Sequence, residues 1–361
     1  MDKLKTAREI INRVDKEMAA LFEERMGAAK IIADYKKEHG LQILDTAREE
    51  ELIRKNSAYI EDEEVKSFYV NFIKNNMEVS RSYQSKLMEG MRVAYSGTEG
   101  AFAHIATNKL FPSAKKVAFG DFESAYRAVE KGECDVCVLP VENSYNGEVG
   151  QVTDLMFSGS LYVNGMTELQ VSQDLVACEG ATIDTIKRVI SHQQALGQCA
   201  DFIKKHGYET AEYVNTALAA KFVAEQNDPT IAAIASAEAA ELFGLKVIAN
   251  NINVSRSNTT RFAVFSRAEN IHKATDMDVH TVLLFTVRNE AGALAHAIEI
   301  IGKHGFNMSA LRSRPMKELL WKYYFYVEAE GNIHTEEGKI MMQELSRYCD
   351  KLKAVGTFSK K

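Results

Sequence analysis

Arg25 stands in a row of apolar side chains. Leu4, Ala7, Ile11, Val14, Met18 and Leu21, then Ala28, Ile32 and Tyr35, keep a period of about 3.5 residues, and Arg25 fills the gap between Leu21 and Ala28. An unpaired buried guanidinium is costly, so this placement predicts an anion beside it. Lys36 is turned only about 20° from Arg25 and lies ~16 Å further along the same helix face. Asp45, Arg48 and Glu49 share a second face at i, i+3 and i+4, and Ser80 and Gln84 share a third at i, i+4. Arg8 is about 100° off the Arg25 face and is expected to point elsewhere, toward a partner's pocket. Together these groups could line one pocket. The plainer alternatives are surface ion pairs on a charged helix and, for Arg25, a coiled-coil register device.

Further on, polar residues collect where strands should end. These stretches are Pro140-Val141-Glu142-Asn143-Ser144, Ser191 to Cys199 with Gln198 near its end, and Asn258-Thr259-Thr260-Arg261-Phe262. Strand ends are where α/β sheets bind ligands, although Asn143, Ser144 and Ser191 could equally cap helices. Tyr95 to Phe102 reads as strand, glycine turn and helix start, a modest anion site. Neither G-x-G-x-x-G nor the Walker pattern occurs, so nucleotide and nicotinamide chemistry lose support. Cys134-Asp135-Val136-Cys137 has redox spacing but sits in an apolar strand, and the nine histidines include no H-E-x-x-H, so neither a cofactor nor a metal is expected.

The elements that must position these residues differ in grammar. Residues 1–90 hold no proline, three glycines, 16 basic and 18 acidic side chains, the composition of long helices. The first should span residues 3–37, ~50 Å, and should pair with a second copy. Residues 91–267 alternate short strands with helices and leave room for two lobes joined by crossing strands, with a cleft between them. After a polar connector (268–278), the tail reads β-α-β-β-α-β: strand 280–287, helix 293–304, strands 306–312 and 321–329, helix 335–349 and a final strand.

The whole chain of 361 residues has 44 basic and 50 acidic side chains and a formal charge of -6, with no basic cluster for nucleic acid. No run of eighteen apolar residues suggests a membrane span, and five scattered cysteines suit a reducing compartment, so a cytoplasmic protein is expected.

The set Arg8, Arg25, Lys36, Asp45, Arg48, Glu49, Ser80 and Gln84 resembles the pocket of all-helical chorismate mutases, over residues 1–90. That resemblance implies a Claisen rearrangement of chorismate to prephenate. Arg25, Arg48 and a partner's Arg8 would grip carboxylates, Lys36 and Gln84 would bond the ether oxygen, Glu49 would hold the ring hydroxyl, and Asp45 and Ser80 would support them. The ENS, SH-x-QAL-x-Q-C and TRF stretches resemble prephenate dehydratases, with a two-lobed fold like that of periplasmic binding proteins, over residues 91–268. Thr260 would be the general acid, Arg261 a carboxylate partner, and Glu142, Asn143, Ser144, Ser191 and Gln198 would line the cleft. Gly292-Ala293-Leu294 and Ser313-Arg314-Pro315 resemble effector motifs of ACT domains, implying a ferredoxin-like α+β module over 279–361 that binds L-phenylalanine, with Asn307 added to its site. Ala101, Ala103, Gln193 and Arg312 depart from the usual patterns.

The resemblance thus implies a multidomain, bifunctional enzyme with no cofactor, acting on chorismate and prephenate as a homodimer or higher oligomer. The rival readings are a non-catalytic sensor of small acids and a mutase fused to a tyrosine-branch enzyme.

Overall fold

A computed structural model describes residues 3–253, 258–271, 278–316 and 322–359, and its contacts divide them at Arg92 into two units. The first unit is three helices, α1 (Lys3–Glu38), α2 (Thr46–Ser57) and α3 (Glu63–Glu89). Their ends follow from the sequence. Asp45 caps α2 by accepting from the Arg48 N–H at 3.0 Å, and Asp62 caps α3, which places the acidic Glu63 and Glu64 in its first turn. Packing on α3 buries Ala29 and Ala33 of α1 and half-buries Arg25 and Lys36. The apolar seam beside them stays open, with Leu21 63% and Tyr35 56% exposed. Among the described residues of this unit, only Ala29, Ala33 and Met77 are buried hydrophobic side chains, too few to form a core.

The second unit opens with a lobe made of β1 (Arg92–Ser96), α4 (Phe102–Leu110), β2 (Lys115–Phe119), α5 (Phe122–Glu130), β3 (Val136–Asn143), β4 (Gly147–Glu148), α6 (Gly150–Ser158) and β5 (Tyr162–Gln170). The chain then crosses to a second lobe. This contains β6 (Asp174–Ala177), β7 (Arg188–Ser191), α7 (Gln193–Gln198), α8 (Ala200–His206), β8 (Glu209–Glu212), α9 (Thr216–Gln226), β9 (Ile231–Ala235), α10 (Ala237–Phe243) and β10 (Lys246–Ala249). It returns through β11 (Thr259–Ser266), which enters the first sheet between β3 and β5. The sheet orders are β2-β1-β3-β11-β5 and β10-β6-β9-β7-β8, the two-lobed arrangement of a periplasmic-binding-protein-like fold.

Where β3 meets β11 the ladder slips by one residue. Arg261 pairs with Glu142 and Phe262 with Pro140, so Val141 is the extra residue of a bulge. Pro140 has no N–H to give the ladder, and proline inside a sheet is tolerated at such bulges. The slip reverses the parity of β3. Val141 stays on the side of Cys137 and Leu139, all three in one core, and Asn143 is re-aimed to the opposite face, opposite Thr260.

The rest of the chain forms β12 (Val279–Val287), α11 (Ala293–Lys303), β13 (Asn307–Pro315), β14 (Tyr323–Glu330), α12 (Glu336–Ser346) and β15 (Cys349–Ser359), with sheet order β13-β14-β12-β15 and every pairing antiparallel. One face of this sheet packs under α11 and α12 through Leu283, Phe285, Val327 and Ala329. The other face joins the core of the first lobe, where Val282, Leu284, Tyr324 and Tyr326 meet Tyr126, Ala263 and Phe265. Burial on both faces fits the apolar run Val282 to Phe285 at the middle of β12, which is buried from Val279 to Thr286. The last helix stops at Ser346, three residues short of the expected end, because Cys349 already opens β15. Trp321, expected to open the β14 strand, and residues 272–277 of the expected connector lie outside the described residues.

Candidate active sites

On the helical unit, Arg25 hydrogen-bonds the Ser80 hydroxyl and donates to the Asn76 carbonyl at 3.2 Å. Both acceptors are neutral. Burial pulls its pKa down, as for a guanidinium short of counter-charge. One turn beyond Ser80, Gln84 is 8% exposed and its Oε1 is buried without a hydrogen-bond partner among the described residues. A buried amide left open in this way is a ready donor or acceptor for a small ligand, depending on which edge it turns inward. Lys36 donates to the Ile43 carbonyl at 2.6 Å, and Glu49 pairs with Arg81, a residue the sequence reading passed over. Arg25, Ser80 and Gln84 therefore come together, whereas Arg48 pairs with Glu51 at 2.6 Å on the surface, Asp45 is spent as a helix cap, and Arg8 is exposed. The Lys55 and Arg48 partners hold the Glu51 carboxyl down at about 2.

In the second unit the Asn143 amide donates to the Thr260 Oγ1 at 2.9 Å and to the Asn258 Oδ1 at 2.8 Å. Its own Oδ1 accepts from the N–H groups of Tyr145 and Asn146, so the side chain is fixed at both ends. Asn258 in turn donates to Gln198 Oε1 at 3.3 Å, and Gln173 reaches the same oxygen at 3.4 Å. A chain of neutral polar groups thus runs from the first lobe to the second. Because Thr260 Oγ1 accepts from Asn143, the hydroxyl proton can point elsewhere, and no acceptor for it is found among the described residues. Ser144 bonds the Thr259 backbone through both its N–H and its hydroxyl, which pins the turn. Asn258 and Gln173 were missed as site residues. Asn258 lies within a stretch already singled out, and Gln173 sits in the crossing between the lobes, immediately before β6.

Three expectations for the cleft need correction. Ser191 is fully buried and donates to the Ile234 carbonyl at 2.6 Å, so it stitches β7 to β9 instead of lining the cleft. Glu142 and Arg261 face away from the cleft, because cross-strand partners share a face and neighbours on a strand take opposite ones. Arg261 forms a two-pronged pair with Glu328 at 2.9 and 3.0 Å, and Glu142 pairs with Arg312 at 2.5 Å. His192 caps α7 through the Gln194 N–H.

Of the tail residues, Gly292 takes φ +83 as the cap of α11, followed by the half-buried Ala293 and Leu294. Asn307 donates to Glu330 at 3.1 Å, and Ser313 is exposed on the edge strand β13. Arg314 is drawn away to Asp154 at 3.0 Å and packs over Gly150, where a Cβ would overlap its guanidinium. Pro315 borders a cavity of about 660 Å³ together with Phe122, Phe157, Tyr324 and Lys351. Among the described residues no group of three or more His, Cys, Asp and Glu could hold a metal ion, and no helix is long and apolar enough to cross a membrane. Cys134 and Cys137 are buried, and burial pushes the Cys137 thiol far up.

A half-buried guanidinium on a helical unit precedes, in sequence, a two-lobed α/β unit with a threonine hydroxyl in its polar chain, the organisation of a two-unit enzyme. Residues 7–85 match the chorismate mutase type II family and residues 93–270 the prephenate dehydratase family. The chain is 30% identical to the bifunctional chorismate mutase/prephenate dehydratase of Neisseria gonorrhoeae over 97% of its own length and 95% of that protein. It is equally 30% identical to the one of Aquifex aeolicus, over 100% and 99%. The crystal structure of prephenate dehydratase from Arthrobacter aurescens in complex with L-Phe superposes with a TM-score of 0.68 at 25% identity, covering 75% of this chain and 90% of that one. The chain belongs to the bifunctional chorismate mutase/prephenate dehydratase family. It is an enzyme of phenylalanine biosynthesis, with chorismate and prephenate as its substrates.

Proposed function

We propose a three-part division of labour along the chain: a mutase domain over 1–90, a dehydratase domain over 91–268 and a regulatory ACT domain over 279–361. In the first, Arg25 and Arg48, joined by Arg8 of a second copy, hold the carboxylates of chorismate. Lys36 and Gln84 stabilise charge on the ether oxygen as the C–O bond breaks and the new C–C bond forms, and Glu49 holds the ring hydroxyl. Asp45 and Ser80 keep these groups in place. The reaction needs only a bound conformer and positioned charge. The observation that carries the reading is Arg25, a half-buried cation whose hydrogen-bond partners among the described residues are neutral.

Prephenate then loses carbon dioxide, leaving its electron pair in the ring, while the ring hydroxyl departs as water with a proton from Thr260. Asn143 orients the Thr260 hydroxyl, and Asn258, Gln198 and Ser144 shape the polar wall around it. The aromatic ring of phenylpyruvate drives the step.

The C-terminal module has the strand order of a ferredoxin-like ACT domain, which supports L-phenylalanine as the effector, bound by Gly292, Ala293, Leu294, Asn307 and Ser313. Arg314 and Pro315 border that region, with Arg314 committed to Asp154. The open seam of α1 supports a homodimer or larger assembly, and the composition fits the cytoplasm. The test is a pair of variants in the full chain. Arg25→Ala should lower mutase kcat/KM about a hundredfold or more and spare dehydration of supplied prephenate, and Thr260→Ala should do the reverse. Loss of both activities in either variant, or of neither, would contradict the assignment.

A further inference from the structure

Glu328 is a carboxylate in the middle of an apolar strand, Tyr323–Glu330, with its side chain 1% exposed. It lies far along the sequence from either proposed site, yet both of its oxygens are taken by the Arg261 guanidinium, at 3.0 and 2.9 Å, and the Tyr326 hydroxyl adds a bond at 3.3 Å. Arg261 forms the last pair of β11 with β3 before the bulge at Val141, while the other edge of β11 stays in register with β5 through Thr260, Arg261 and Phe262. Its neighbour Thr260 points to the opposite face. A two-pronged grip on one side of the strand adds to the β5 ladder in holding the strand that presents the hydroxyl on the other side. A parallel link runs beside it. Arg312 of β13 holds Glu142, the neighbour of Asn143, and lies 5.1 Å above the Tyr326 ring.

We infer that Glu328 is a positioning residue for the dehydration step: by fixing Arg261 from the C-terminal sheet, it holds Thr260 at the angle from which it protonates the leaving hydroxyl. The inference rests on the reading of Thr260 as the acid. It makes the C-terminal module part of the dehydratase site as well as an appendage to it, and gives any ligand that shifts this sheet a mechanical route to the cleft. The buried carboxylate and its fork partner are explained together.

Glu328→Gln keeps the volume of the side chain and removes its charge. In the full chain, dehydratase kcat should fall at least about tenfold, as expected when a reacting group is misplaced by a fraction of an ångström. KM for prephenate should stay within about threefold and the mutase rate should not change. Combined with Thr260→Ser, the two losses should fail to multiply, because both act through one hydroxyl; multiplying losses would mark a merely structural role and overturn the inference. Tyr326→Phe removes only one bond to Glu328 and should give a smaller loss, about threefold. If Glu328→Gln does not fold, unchanged kcat in Tyr326→Phe overturns the inference. A parent chain that fails to dehydrate prephenate removes the reading beneath it, whereas an active parent with unaffected variants removes this inference alone.

Discussion

Thr260 and Arg261 are adjacent in sequence, and the strand that carries them sends one to the cleft and the other to the C-terminal sheet. The resemblance assigned both to the cleft, Thr260 as general acid and Arg261 as carboxylate partner, and only the pairing of β11 with β3 separates them. Arg25 was legible because a cation broke an apolar period. Glu328 breaks an apolar strand in the same way, and the same argument marks it. Ser191 misled because a hydroxyl at the end of a strand looks the same in sequence whether it meets ligand or a neighbouring carbonyl. Gln84 supports a prediction at this scale. A neutral amide donates at any ordinary pH, so the mutase rate should be nearly flat from mild acid to mild base. In Gln84→Glu the donor must be a protonated acid, and the rate should fall as pH rises through its pKa. A rate profile of both chains checks this, and a parent that loses activity on passing from mild acid to neutral pH would count against the role.

The seam of α1 was readable from its period, and the helix spans Lys3–Glu38 against an expected 3–37. Leu21 and Tyr35 lie open along it, and the proposed use of the seam is as an interface with a second copy. Leu21→Glu should therefore shift the chain toward the monomer in sedimentation and lower mutase activity at low protein concentration, sparing dehydration. An unchanged sedimentation coefficient would mean that the seam is not the interface. By contrast, β5 escaped the sequence reading, because Tyr-Val-Asn-Gly-Met-Thr-Glu-Leu-Gln is an edge strand with little apolar alternation. The bulge was equally hidden, although Pro140 marks it.

The end of α6 depends on a residue from another layer. Lys353 of β15 donates to the Met156 carbonyl at 2.6 Å and to that of Gly159. Burial, helped by Lys351, lowers its pKa to about 8. The unfolded chain holds that proton up to roughly 10.4. Between these values the unfolded state binds more protons, so this group's contribution to stability rises with pH from about 8 to about 10 and is lowest below 8. Lys353→Met should remove that rise from thermal unfolding curves of the full chain measured against pH; identical pH slopes in the two proteins would contradict it.

At the scale of the molecule, the order of the units matches the order of the chemistry, since the product of the first is the substrate of the second. The class of each segment was legible from composition and period: helical, then alternating α/β, then β-α-β-β-α-β. The interlocking of the last two was not, because a core shared between distant segments leaves no local pattern. That shared core suits regulation. L-phenylalanine should slow dehydration while leaving the mutase rate unchanged, and should give binding heat in calorimetry; an unaffected rate at saturating phenylalanine with no heat would refute the effector role.

The most direct test of the account supplies the purified chain with chorismate alone and follows phenylpyruvate by its ultraviolet absorbance. The account predicts that chorismate disappears, prephenate rises and falls, and phenylpyruvate accumulates in equal amount. Chorismate left intact, or prephenate that persists without conversion, would contradict it.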